Sequence, residues 1–172
     1  MNAIACARSN GYTPVTCIQP MYNLVKRQAE VEILPLALHE QLAVCPYSPI
    51  AAGLLTGKYA RGESGRIKDH AMYAERYKRD EYWEIATQFV AYANQHGYTP
   101  SALATRWVID HPAVTSAIIG ARNLDQLNQA LESANFSLTP EQRAEITALS
   151  IDPPLATDRE PMKIAMDMLL KY

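Results

Sequence analysis

Three short apolar runs, at residues 15–19, 43–48 and 114–120, are separated in the chain by stretches of helical periodicity. Strands that return in the same direction need crossover connections of about a dozen residues or more, so strand, helix and strand in alternation specify a parallel sheet. The fold class is therefore α/β. In open parallel sheets and in eight-stranded barrels alike, ligands sit where strands give way to loops at their carboxyl ends. Those ends are Gln19, Tyr47-Ser48 and Gly120.

The connecting stretches support this reading. The first ten residues read as the end of a helix closed by Gly11. Residues 27–42 carry Leu34, Leu38 and Leu42 at intervals of four, with Ile33 and Ala37 beside them, a helical stripe that Pro35 must kink or split. Residues 57–79 are polar and basic with glycines at 57, 62 and 65, and read as one long loop. Asp80 is placed to cap a helix with Ile85, Phe89 and Ala93 on one face and Gly97 at its end. Thr99-Pro100 restarts a helix bearing Leu103, Trp107 and Val108 as far as His111-Pro112. Leu124, Leu127 and Leu131 mark another, and "TPEQ" at 139–142 opens a last one with Ile146 and Leu149 facing inward. Phe89 and Trp107 are expected in the core.

Several classes are disfavoured. A chain of 172 residues with net charge −2 and no block of like charges gives no reason to expect nucleic acid or an anionic membrane as partner. It fits one domain over 1–172, the last part, 151–172, being a tail. The opening has too short an apolar run for a secretion signal, and no segment approaches the length of a membrane span. Three cysteines without C-x-x-C spacing are expected as buried structural thiols in a reducing cytoplasm. His39, His96 and His111 have no ligand spacing, so no metal is expected.

Two segments at strand ends carry chemistry. In "GARNLDQL", Gly120 permits close backbone approach, Arg122 supplies a bidentate cation and the following helix offers free N–H groups, which together suit a phosphate. "YSPIAAGLLTGKY", Tyr47 to Tyr59, adds a flat aromatic and Lys58. Taken singly, Tyr47-Ser48-Pro49 is an ordinary strand-ending turn and Arg122 a solvated surface residue. The combination favours a nucleotide.

"IQPMYN", "YSPIAAGLLTGKY" and "SAIIGARNLDQL", in this order, resemble the carboxyl-terminal half of an aldo-keto reductase over roughly residues 3–150. The resemblance implies part of a (β/α)8 TIM barrel, about its last three strands with their helices, and NADPH-dependent reduction of aldehydes and ketones without a metal. It implies that Gln19 faces the nicotinamide carboxamide and that Tyr47 stacks on the ring. Ser48, Pro49, Ile50, Ala51 and Lys58 would line the pyrophosphate, and Gly120, Arg122 and Gln126 would hold the adenosine end, with Arg122 near the 2′-phosphate. Ala130 departs from the family, which usually has an asparagine against adenine there.

The family's catalytic aspartate, tyrosine, lysine and histidine have no counterparts. Asp69, His70, Tyr73 and Lys78 are the right residue types but fall in the long loop, without the rigid placement a general acid needs, so no catalytic residue is assigned. Two function classes remain. One is the NADP(H)-binding part of a reductase, inactive as this chain alone, taking a small carbonyl substrate only if the barrel is completed. The other is a non-catalytic nucleotide-binding or regulatory interaction protein, for which the family's potassium-channel subunits are a precedent. Unpaired sheet edges predict self-association or a complementary half-barrel as partner.

Overall fold

The computed structural model describes residues 2–154; the expected tail therefore falls almost wholly outside the described residues. The chain is a mostly helical α/β assembly with two paired parallel strands. Helix α1 spans Asn2–Asn10 and ends at Gly11, whose φ of 63° is the left-handed closure expected of a glycine there. Strand β1, Cys17–Ile18, pairs in parallel with β2, Ala43–Val44. Backbone bonds extend this pairing on both sides: Ala43 N–H donates to Thr16 O at 2.8 Å, Cys45 N–H to Ile18 O at 2.9 Å and Tyr47 N–H to Pro20 O at 3.0 Å.

The crossover between these strands splits as Pro35 requires. A 3-10 turn at Gln28–Glu30 precedes α2, Ile33–His39, and Pro35 occupies the first turn of α2, where a missing N–H breaks no bond. The expected stripe is only half right. Leu34 and Ala37 are buried, but Leu38 is exposed, because the short helix turns a different face inward.

The third apolar run is not a strand. It keeps one parallel bridge, Tyr47 to Ile118, plus bonds from Thr115 N–H to Val44 O at 2.9 Å and from Ile118 N–H to Pro46 O at 2.8 Å. The reason is local: Thr115 Oγ1 accepts from Val44 N–H at 3.1 Å, so a side chain replaces the ladder bond. The three segments nevertheless lie side by side, with Tyr47 bridged to Met21 on one side and Ile118 on the other.

The expected long loop is also corrected. It holds two short helices, α3 at Arg66–Asp69 and α4 at Ala71–Arg76, preceded by a 3-10 segment, Ala51–Thr56. Helix α5, Asp80–Gln95, begins after Arg79, so Asp80 contributes charge to the first turn rather than a cap. Helix α6, Pro100–Ile109, starts with proline at its first position. Helix α7 is Leu124–Leu131, and α8, Pro140–Ala148, opens with a full capping box between Thr139 and Gln142.

Trp107, Tyr22, Tyr77, Phe89, Leu34, Leu55, Leu103 and Ile146 form a continuous core between the helices and the outer side of β2. The leucine stripe of α7 departs from expectation, since Leu124 and Leu131 are exposed. The cysteines depart likewise: Cys6 and Cys17 are exposed and Cys45 is half-buried, with the sulfurs of Cys17 and Cys45 3.9 Å apart. No helix among the described residues is long and apolar enough to cross a membrane.

Candidate functional site

A cleft of about 900 Å3 opens at the carboxyl end of the paired segments, between the turn after Tyr47, helix α5, helix α6 and the start of α7. Eight of the ten residues singled out from the sequence line it: Tyr47, Ser48, Pro49, Ile50, Lys58, Gly120, Arg122 and Gln126. Ala51 does not, being wholly buried behind the turn, and Ala52 and Gly53 line the cleft in its place. Gln19 is exposed just past the end of β1 and is not part of the cleft wall. Ala130 is buried at the far end, near Ser101 and Gln129.

The turn that forms one wall has an unusual backbone. Ser48, Ala51 and Ala52 have φ of 59°, 50° and 56°, a left-handed conformation that residues with a Cβ seldom adopt. Buried side chains hold it there. Asn23 Nδ2 donates to Ser48 O at 3.0 Å, and the Tyr59 hydroxyl donates to Ala52 O at 3.0 Å. The same hydroxyl accepts from Ile67 N–H at 3.1 Å, which ties α3 across the turn.

Cations converge on the cleft. Lys58, Arg61, Arg66 and Arg122 all line it. Arg61 is neutralised by Glu63 at 2.8 Å, but among the described residues no carboxylate lies within ion-pair range of Lys58, Arg66 or Arg122. Partial burial lowers the Lys58 ammonium below the ordinary lysine range, and the Arg122 charge adds to this, against opposing pulls from Glu63 and Asp69. A cluster of like charges without counter-ions is a site for an anion.

At the start of α7, Gln126 and Asn123 hold the backbone. Asn123 Oδ1 accepts from Gln126 N–H at 2.9 Å, and Gln126 Oε1 accepts from Arg122 N–H at 3.0 Å. The amide nitrogen of Gln126 thus remains available to a ligand. Of the residues considered for a substitute acid, Tyr73 lines the cleft, its ring centre 5.8 Å from the Arg66 guanidinium and 5.3 Å from that of Arg76, and Lys78 pairs with Glu75 at 2.6 Å. Sequence reasoning missed Asn23, Gly53, Tyr59, Gly65, Arg66 and Ser101. Asn23, Gly53 and Tyr59 lie within motifs already singled out, but Gly65, Arg66 and Ser101 carry no local signal, because what each does depends on how the chain folds.

The family model described as "Aldo/keto reductase family" matches residues 1–151. "Protein tas" of Escherichia coli (strain K12) is 30% identical over 137 residues, covering 78% of this chain and 40% of that protein. "Aldo-keto reductase YhdN" of Bacillus subtilis (strain 168) is 30% identical over 140 residues, covering 79% and 42%. "Aldo-keto reductase family 7 member A3" of Homo sapiens is 34% identical over 146 residues, covering 74% and 44%. The chain spans about two-fifths of the length of these curated relatives. It belongs to the aldo/keto reductase family.

Proposed function

We propose that the cleft binds NADP(H), and that the chain is the nucleotide-holding, carboxyl-terminal part of an aldo-keto reductase barrel. The observation that carries this reading is the convergence of Lys58, Arg66 and Arg122, none paired with a carboxylate among the described residues, on a cleft walled by a strained turn and a helix start. Its volume of about 900 Å3 suits a dinucleotide-sized ligand. Tyr47 would hold the nicotinamide end, which reaches Gln19 only if the ring extends past the cleft wall. Ser48, Pro49, Ile50 and Lys58 would face the pyrophosphate, with Ala51 supporting that turn from behind, and Gly120, Arg122 and Gln126 would face the adenosine with its 2′-phosphate. The cofactor supplies a hydride for carbonyl reduction. This chain's own residues bind, orient and neutralise; no group within it is assigned the proton transfer, so turnover of a small aldehyde or ketone requires the remainder of a barrel.

Calorimetric titration of NADPH and NADH with the wild type, Arg122→Ala and Tyr47→Ala tests the reading. Arg122→Ala is expected to weaken NADPH roughly ten- to a hundredfold, the effect of a charge-assisted hydrogen bond, and to leave NADH almost unchanged. Tyr47→Ala is expected to weaken both alike, since both carry the same ring. Equal losses for the two nucleotides in Arg122→Ala would refute the phosphate role. Absence of any nucleotide binding, even with a complementary half-barrel supplied, would favour a non-catalytic interaction protein.

A further inference from the structure

Lys58 reaches the cleft through a narrow slot. A Cβ built on Gly65 would lie 2.0 Å from Lys58 Nζ, 2.5 Å from its Cε and 2.8 Å from the Tyr59 hydroxyl. A Cβ on Gly53, across the slot, lies 2.9 Å from Lys58 Cε. Two residues without side chains thus bracket the end of one lysine. The two glycines differ in why they are needed. Gly53 has φ of 93° and is required by the backbone of the turn, whereas Gly65 has φ of 167°, an extended value open to any residue. Its missing side chain serves space alone.

We propose that Gly65 is a positioning residue, whose bare Cα forms the slot that holds the Lys58 ammonium in the cleft beside Arg122 and thereby sets the affinity for phosphate. The ligand in this statement rests on the nucleotide reading above, while the slot rests on geometry alone.

The wall that carries Gly65 is fixed. Tyr59, buried beneath the slot, accepts from Ile67 N–H and donates to Ala52 O, so it joins the residue two positions after Gly65 to the residue just before Gly53. The Lys58 ammonium rests 5.0 Å from the centre of the Tyr59 ring. Burial disfavours the ammonium there. Arg122 and Arg66 also repel it, while Glu63, itself paired with Arg61, and Asp69 pull the other way. An unrestrained lysine in that field turns outward to water, which solvates an ammonium better than a half-buried cleft does. The slot keeps it in place, and an oxyanion entering the cleft would find the charge already oriented. The lowered pKa of Lys58, due first to burial and then to Arg122, agrees with a charge held where it is disfavoured.

Adding one methyl group tests this. Gly65→Ala introduces no backbone strain, and the atoms it strikes hardest are the free end of Lys58, so the ammonium moves, with a smaller displacement of the Tyr59 hydroxyl at 2.8 Å. Three measurements on the full chain are expected to agree. NADPH affinity falls about tenfold, the scale of one lost charge-assisted contact. Lys58→Ala gives a similar loss, and Gly65→Ala added to Lys58→Ala changes little further, since the slot then holds nothing. The Lys58 pKa, followed by NMR without ligand, rises in Gly65→Ala towards the ordinary lysine range while the Ile67 N–H stays as protected from exchange as in the wild type, which separates a displaced ammonium from a loosened α3.

Unchanged affinity and unchanged Lys58 pKa in Gly65→Ala would overturn the proposal and leave the nucleotide reading standing. A wild type that binds no nucleotide, with a Lys58 pKa that still rises in Gly65→Ala, would uphold the slot and sink the nucleotide reading. Additive losses in the double variant would also overturn the proposal. Should Gly65→Ala fail to fold, the double variant decides: restored folding upholds Lys58 as what Gly65 makes room for, and continued failure assigns that space to the Tyr59 hydroxyl and overturns the proposal.

Discussion

Removing the Tyr59 hydroxyl isolates what holds the cleft wall together. In Tyr59→Phe the ring and its edge contact with Trp83, centroids 5.7 Å apart, are kept, and only two hydrogen bonds are lost. Both partners are deeply buried: Ala52 is 8% and Ile67 5% exposed, so water has poor access to the released carbonyl and amide. A net protein hydrogen bond contributes about 1 kcal/mol, and leaving a buried partner unsatisfied costs about 1–3 kcal/mol. Two bonds at the lower end of that range give a loss of about 2 kcal/mol, or roughly 4–8 °C in the unfolding midpoint for a chain of this size. The loss is also local. Ile67 N–H should exchange with solvent far faster than in the wild type, while amides in α5 and α6 change only with global stability. Urea unfolding and residue-resolved hydrogen exchange measure the two effects. An unfolding free energy within error of wild type, with Ile67 still protected, would show that the hydroxyl does not tie α3 to the turn.

Two further outcomes follow from other parts of the structure. Glu30 accepts from Arg27 at 2.7 Å and from the Tyr22 hydroxyl at 2.6 Å; burial alone would raise its pKa, but these bonds outweigh that and hold it below the ordinary glutamate range. A depressed carboxyl contributes stability that is present above its unfolded pKa and lost as pH falls through the folded value, so Glu30→Gln should flatten the acid limb of a stability–pH curve. The same substitution should destabilise at neutral pH by about 2–4 kcal/mol, because Arg27 stays largely buried with only exposed Asp152 as partner. An unaltered acid limb would remove Glu30 from the account. Thr139→Ala breaks the capping box of α8 and should cost about 1 kcal/mol in denaturant unfolding, a loss that Ser at the same position restores.

The parts legible in sequence were those fixed by neighbours in the chain. Gly11 closes α1, Pro100 starts α6 and Thr139 with Gln142 caps α8, each by contacts within a few residues. Tyr47, Ser48, Lys58 and Arg122 were found because strand ends and glycine spacing mark where a parallel sheet meets its loops. What escaped depends on contacts far apart. Periodicity makes Leu124, Leu127 and Leu131 an apolar face but cannot name what covers it, and two of the three face solvent among the described residues. A short apolar run likewise marks 114–120 as a strand, but does not show that Thr115 uses its hydroxyl in place of the ladder. Cys17 looked structural because free thiols are usually buried, whereas it lies on the side of the sheet turned away from the helices.

The backbone separates strain that closes a helix from strain that builds the cleft. Gln41, with φ of 55°, is left-handed for an ordinary reason: it follows the end of α2, where Leu42 N–H returns to Ala37 O at 2.9 Å and Gln41 N–H to Leu38 O at 3.3 Å. Ser48, Ala51 and Ala52 end no helix. Each carries a cost on the order of 1 kcal/mol or more, and glycine, which would relieve it, is used only at the neighbouring Gly53. Such a turn persists because its surroundings over-determine it, and here they come from three directions: Asn23 from the segment after β1, Tyr59 from the turn's own far end, and Ile67 through Tyr59 from α3. The strain therefore sits where the cleft wall faces Arg122 and Lys58, and the two Tyr59 bonds that help sustain it also fix the Gly65 slot. A relaxed turn would satisfy the chain's local preferences equally well, but it would not hold the wall and the lysine to one geometry.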